Sequence, residues 1–118
     1  MMAVLISLTA GALVAAAAYL LTGRRLLHLI LGAALLTHGV NLAVFASGSI
    51  HPDGVPIAPA GATSMPTGIA DPLPQALVLT AIVIGFGVLA FLLALSYRVQ
   101  RSANSDDIDI IAKQGNHA

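Results

Sequence analysis

The placement of its few charges constrains this chain more than any other feature. Apolar stretches fill residues 1–22, 26–46 and 75–97; Arg24 and Arg25 separate the first two, and Arg98, Arg101 and Lys113 follow the third. The connection over 47–74 holds Asp53 and Asp71 but no Lys or Arg. Each stretch has about 20 residues, enough at a rise of about 1.5 Å per residue to cross a hydrocarbon layer of roughly 30 Å. Loops on the cytoplasmic side of a membrane carry the excess of Lys and Arg, so one topology is expected: N-terminus out, short first loop in, long loop out, C-terminus in. The predicted fold class is therefore an all-α integral membrane protein with three transmembrane helices.

Composition agrees, because 58% of the residues are of the apolar set and only 8% are charged, too few to keep a soluble chain dispersed. No basic patch points to nucleic acid. Cysteine is absent, which excludes disulfides, a thiol nucleophile and a Cys-ligated metal. No catalytic residue, metal site or cofactor is expected. The first stretch carries its positive pair after the apolar run rather than before it, so it reads as a retained helix and not as a signal peptide.

The expected organisation is a transmembrane domain over 1–101, with helices at about 2–22, 26–46 and 75–97 and an outer Pro/Gly-rich loop over 47–70, followed by a polar cytoplasmic tail over 102–118. In the first span Gly11, Ala15 and Ala18 recur at helical spacing and predict a packed face, since small residues let helices approach closely in lipid. Gly23 supplies a C-terminal stop, and the Arg pair suits the negative end of the helix dipole. The loop that follows is so short that the first two spans must form an antiparallel hairpin.

The second span is the most polar, with His28, Thr37, His38 and Asn41 alongside Gly32 and Gly39. At about 100° per residue Ala34, His38 and Asn41 fall within about 60° of one another, while His28, Gly32 and Gly39 gather on another face. Two contact faces predict neighbours on more than one side. The third span opens on Asp71-Pro72-Leu73-Pro74, where Asp71 suits the N-cap and Pro72 and Pro74 fall in the first turn, which needs no donor. Ala81, Gly85 and Gly87 are its candidate packing residues. In the tail Asp106, Asp107 and Asp109 stand beside Ile108, Ile110 and Ile111; a frayed end is expected there ahead of docking.

A proton or ion pathway through lipid normally needs ionisable groups within the spans. Only His28 and His38 meet that need away from the Tyr residues near the ends, and the chain contains no Glu. The lone intramembrane carboxylate on which rotary-ring proteolipids and small proton-coupled exporters depend is missing. His38 can relay protons or hold water near neutral pH, or it can hydrogen-bond to a neighbouring protein, and both readings stay open. His28, near the inner end, suits a headgroup-level or helix-contact role. An amide in mid-span must find partners, which makes Asn41 the residue expected to bond to another helix. Gln75 and Thr80 lie about 140° apart around the axis and share no face; Thr80 can bond back to a backbone carbonyl and Gln75 can be solvated at the outer end.

The strings GAALLTHGVNLAVF, from Gly32, and DPLPQALVLTAIVIGFG, from Asp71, together with the Pro-rich loop between them, resemble the C-type subunits of the Mrp-type multisubunit Na⁺/H⁺ antiporters. The resemblance runs from about Leu5 to Arg101, and through it the chain is similar to the K-type membrane subunit of respiratory complex I. It implies an accessory, non-enzymatic subunit in a bacterial inner membrane, packed between larger A- and D-type antiporter-like subunits and small membrane subunits of a complex that exchanges Na⁺ for H⁺. Asn41, Asp71, Pro72, Pro74, Gln75, Thr80, Gly85 and Gly87 match the C-type pattern. K-type subunits carry glutamates in their second and third helices at positions that align with Ala34 and Ala81, so no carboxylate carries over to this chain. The resemblance makes Asn41, Gln75 and Thr80 candidates for an ion path or a subunit interface; His38, at a position that is often an amide in related chains, joins them on its mid-span imidazole alone, and Gly32, Gly39, Ala81, Gly85 and Gly87 are the candidates for helix packing. Two other classes are weighed beside it: a homo-oligomeric small exporter or pore, for which the spans lack a coupling charge, and a membrane adaptor without a transport role.

Overall fold

The structure, a computed structural model, describes residues 1–48, 57, 59–64 and 72–116. It contains α1 (Met2–Leu21), α2 (Leu26–Ser47), α3 (Pro72–Ala103) and α4 (Ile108–Gly115). The first three are long and apolar enough to cross a membrane. Among the described residues there is no strand, only an isolated antiparallel bridge between Arg25 and Asp107.

Helices α1 and α2 form the hairpin required by their short connection. Thr22 caps α1, and the Gly23 N–H donates to the Leu20 carbonyl (3.0 Å). The two helices meet through the second glycine face of α2. A Cβ on Gly32 would stand 2.9 Å from Leu21 Cγ, and one on Gly39 would stand 2.8 Å from Val14 Cγ2 and 3.3 Å from the Ala10 carbonyl. These distances leave no room for a side chain, so backbones approach closely, the route by which helices gain packing energy in lipid. The buried apolar residues lie on this seam: Ala10, Ala17 and Ile30. The face of α1 that packs within the chain is thus not the one marked by Gly11, Ala15 and Ala18. Gly11, Ala15 and Ala18 are exposed, and nothing lies within 4 Å of a Cβ built on Gly11. Spacing alone supplied two small-residue faces on α1, and the position of Gly32 and Gly39 on α2 selects Ala10 and Ala17.

Helix α3 has 32 residues, about 48 Å at a rise of about 1.5 Å per residue, so it exceeds the hydrocarbon thickness and projects beyond it. It extends past Tyr97, where the apolar run ends, because Arg98 to Ala103 contains neither Gly nor Pro to stop it. Asn104 turns the chain instead with φ of 53°, a left-handed conformation that Asn tolerates better than most residues. Pro72 and Pro74 occupy the first turn, and Pro74 Cγ would lie 3.0 Å from a Cβ on Gly48, so the end of α2 and the start of α3 touch. Asp71, the expected cap, lies outside the described residues. Helix α3 contributes no buried residue.

The frayed tail expected from composition is a folded element up to Asn116. Ser105-Asp106-Asp107 leads into α4, whose first turn is capped by the Asp107 carboxylate accepting from the Asp109 N–H (2.9 Å). Helix α2 has no side-chain cap of its own; its Leu26 N–H donates to the Asp106 carbonyl (3.0 Å), while the Ile108 N–H at the start of α4 donates to the Arg24 carbonyl (2.9 Å). Each helix start is satisfied by the other's connecting segment, which answers the need that free N–H groups at a helix start have for acceptors. Arg24 pairs with Asp109 (3.3 Å) and Arg25 with Asp106 (3.7 Å) around these bonds.

Candidate functional site

The helix pair α2–α3 packs quite differently from α1–α2. Gly85 approaches Thr37, whose Cγ2 would stand 3.0 Å from an added Cβ, but beside that contact the helices enclose a groove of about 580 Å³. Its walls are mostly apolar, with Ala33, Ala34, Ala81 and Leu89 among them; its polar groups are Thr37, His38 and Asn41, all from α2.

These three groups are not equivalent. Thr37 donates its hydroxyl to the Ala33 carbonyl (2.9 Å) and is satisfied within its own helix. Asn41 is not: its Nδ2 is buried and finds no hydrogen-bond acceptor, the only such side-chain atom among the described residues. An unpaired buried amide donor costs on the order of 1–3 kcal/mol, and because Nδ2 has almost no open surface, an acceptor from outside the chain would reach it only if the side chain turned into the groove that Asn41 lines. His38, one turn before Asn41, lines the same groove and is exposed, with an imidazole that can donate or accept.

Of the four sequence candidates for an ion path or interface, the structure brings His38 and Asn41 together and leaves Gln75 and Thr80 off the groove lining. Thr80 is exposed and donates to the Ala76 carbonyl (3.1 Å); Gln75 is half-buried near the start of α3. Among the packing candidates, Gly32 and Gly39 lie on the α1–α2 seam, Ala81 and Gly85 line the groove, and nothing stands within 4 Å of a Cβ on Gly87. His28 is close to the turn after α1, with its Nδ1 3.0 Å from a Cβ built on Gly23. Ala34 and Ala81 both line the groove. Apolar methyl groups stand there, and the polarity is carried by His38 and Asn41 along α2.

Sequence reasoning missed the clasp between Arg24-Arg25 and Asp106 to Asp109. A partial signal was present: Ser105 and Asp107 just before an Ile-rich run form a helix-start pattern, and two carboxylates, Asp106 and Asp109, answer the Arg pair.

Comparison with known proteins places this architecture. The family model for NADH-ubiquinone/plastoquinone oxidoreductase chain 4L matches residues 5–114. The C subunit of the Na⁺/H⁺ antiporter of Bacillus subtilis is 42% identical over 116 residues, covering 98% of this chain and 99% of that protein. The protein of the same name from Alkalihalophilus pseudofirmus is 42% identical over 92% of this chain and 93% of its own. Among solved structures, a chain of the membrane-bound sulfane sulfur reductase, an archaeal respiratory membrane complex, superimposes with a TM-score of 0.74 at 30% identity over 88% of this chain and 94% of that one. A chain of the Mrp complex from a Dietzia species gives 0.63 at 34% identity over 86% and 73%. The chain is a member of the NADH-ubiquinone/plastoquinone oxidoreductase chain 4L family, and within it of the group formed by the C subunits of Na⁺/H⁺ antiporters.

Proposed function

We propose that this protein is the C-type accessory subunit of a multisubunit Na⁺/H⁺ antiporter of a bacterial inner membrane, and that its α2–α3 groove completes a hydrated ion or proton path against a neighbouring protein of the complex. It is part of a secondary transporter and not an enzyme, as its relatives are named antiporter subunits. Three helices with so little buried surface enclose no transport site of their own, and transporter sites usually form at the interface of repeats that this chain lacks. Its partners are accordingly the large A- and D-type antiporter-like subunits and the small membrane subunits. The expected orientation, N-terminus out and C-terminus in, is supported by the gathering of Arg24, Arg25, Arg98, Arg101 and Lys113 at one end of the bundle.

The observation that carries the groove assignment is the unbonded Asn41 amide. Turned into the groove, the amide can meet water or a partner's acceptor there, and the exposed His38 imidazole, which lines the same space, can donate or accept a hydrogen bond beside it. The test is Na⁺- and pH-gradient-driven exchange in vesicles from cells carrying the complete gene set, with this chain present, deleted, or carrying His38→Ala, alongside complex recovery on native gels. Deletion should abolish exchange. His38→Ala should lower exchange with the complex intact. Full exchange in vesicles lacking this chain would overturn the assignment to an antiporter, and full exchange by His38→Ala would remove His38 from the path.

A further inference from the structure

We propose that the last turns of α3 carry a binding site for the headgroup of an anionic phospholipid, built on Arg98 and Arg101 with the Tyr97 hydroxyl. The site follows from how α3 divides its faces. Leu92, Leu95, Ser96 and Val99 look toward the hairpin, across a gap whose other wall includes Leu26, Leu29 and Ile30. Arg98 and Arg101 lie on the opposite side of the same turns, where with Ala94, Tyr97 and Ser102 they line a cleft of about 510 Å³. They therefore point away from the rest of the chain. Because Val99 is level with the first turns of α2, the two guanidinium groups stand where the apolar spans give way to the headgroup layer.

The charge partition singles out this pair. Arg24 and Arg25 are answered by Asp109 and Asp106. Among the described residues, Arg98 and Arg101 have no carboxylate partner. The tail thus neutralises the loop cations and leaves two arginines, three positions apart on one helix face, open to a phosphate group. Neighbouring guanidinium groups offer paired N–H donors whose geometry suits phosphate oxygens. Arg101 Nη1 donates to Tyr97 Oη (3.3 Å), which holds the guanidinium back over the helix and leaves the phenol hydrogen free to donate in turn. The Ser102 hydroxyl donates to the Val99 carbonyl (3.0 Å) and supplies no donor to the cleft.

A lipid is favoured over a free phosphate because the cleft continues onto apolar surface. Ala94 opens its membrane-facing edge, and Phe91 and Leu93 beyond it are exposed, a path that acyl chains match and inorganic phosphate does not.

The experiment uses the purified complete complex and a photo-crosslinkable phosphatidylglycerol, with adducts mapped by peptide. Labelling is expected on the peptide spanning Ala94 to Ser102, displaced by unlabelled phosphatidylglycerol but not by phosphatidylcholine or millimolar inorganic phosphate. It should fall about fivefold for each arginine replaced in Arg98→Gln and Arg101→Gln, and hold in Arg24→Gln/Arg25→Gln. Arg98→Lys/Arg101→Lys, which keeps charge but loses the paired donors, should retain an intermediate signal, and native gels run in parallel show that complexes are intact. Unchanged labelling in the double Gln variant, competition by phosphate, or absence of label because an acidic neighbouring protein fills the cleft would each overturn the proposal. Exchange activity is not the readout, so failure here is separable from failure of the antiporter assignment.

Discussion

The two helix seams of this protein use similar residues to opposite ends. Along α1–α2, Gly32 and Gly39 face Leu21 and Val14 at distances that admit no Cβ, and the seam is closed. Along α2–α3, the small residues Ala33, Ala34, Ala81 and Gly85 border a groove of about 580 Å³, with Thr37 against Gly85 as the close approach. Small side chains allow close packing but do not compel it. Closure needs a large residue on one helix to meet a gap on the other, as Leu21 and Val14 meet the glycines. Between α2 and α3 the larger side chains, Leu89 and Leu92 among them, border the space without filling a gap on the facing helix, so it stays open, with Asn41 in its lining. The hairpin is thus the self-sufficient half of the molecule, and the α3 side is the half that requires a partner.

The contrast breaks most severely at Gly39. Gly39→Leu would drive a side chain into Val14 and the Ala10 backbone, and should cost about 3 kcal/mol or more by overpacking, with loss of the complex on native gels. Gly87→Leu, in a position with nothing within 4 Å, should leave the fold of the chain within about 0.5 kcal/mol of wild type. If both variants assemble normally, the α1–α2 seam is not the anchor described.

Asn41→Leu sharpens the same contrast from the open side. It removes an unpaired buried donor, so the stability of the chain should hold or rise by about 1 kcal/mol. Exchange by the complete complex should nevertheless fall tenfold or more. Thermal unfolding and vesicle exchange, measured on one preparation, separate the two effects; equal stability with full exchange would mean that nothing outside the chain uses that amide.

Much of this was legible in sequence because lipid imposes simple rules. Length and charge placement gave three spans, and the angular clustering of Gly32 with Gly39 and of His38 with Asn41 anticipated that α2 serves two neighbours. The matching face of α1 was not legible: Gly11, Ala15 and Ala18 have the same spacing logic as Ala10 and Ala17, and only the facing helix decides between them. Thr80 illustrates a second limit. Its match to the C-type pattern made it a path candidate, yet its hydroxyl makes the backbone bond that its residue type allows, to the Ala76 carbonyl, and such a bond carries no information about which way the groove lies. The clasp escaped because polarity at a chain end argues for fraying, while reciprocal backbone capping between Arg24 and Ile108 and between Asp106 and Leu26 is a long-range pairing that no local pattern encodes.

The clasp also yields the finest prediction, because its two kinds of bond differ in worth. The ion pairs are exposed, with side-chain exposures of 78% and 58% for Arg24 and Asp109 and of 66% and 41% for Arg25 and Asp106, so water and salt screen them and each contributes between zero and about 1 kcal/mol. The backbone bonds satisfy the starts of α2 and α4, and lost caps cost about 0.5–2 kcal/mol. Truncation after Asn104 removes both kinds and should lower the thermal stability of the purified complex by about 1–2 kcal/mol, shrinking with salt only by the ion-pair share and leaving the capping share in place at high salt. Asp106→Asn/Asp109→Asn leaves the peptide groups in place and should cost less than about 1 kcal/mol, a loss that shrinks as salt is raised. Were the double Asn variant as damaging as truncation, charge rather than reciprocal capping would hold the tail to the hairpin, and the positive loop would depend on its acidic partner for more than a helix start.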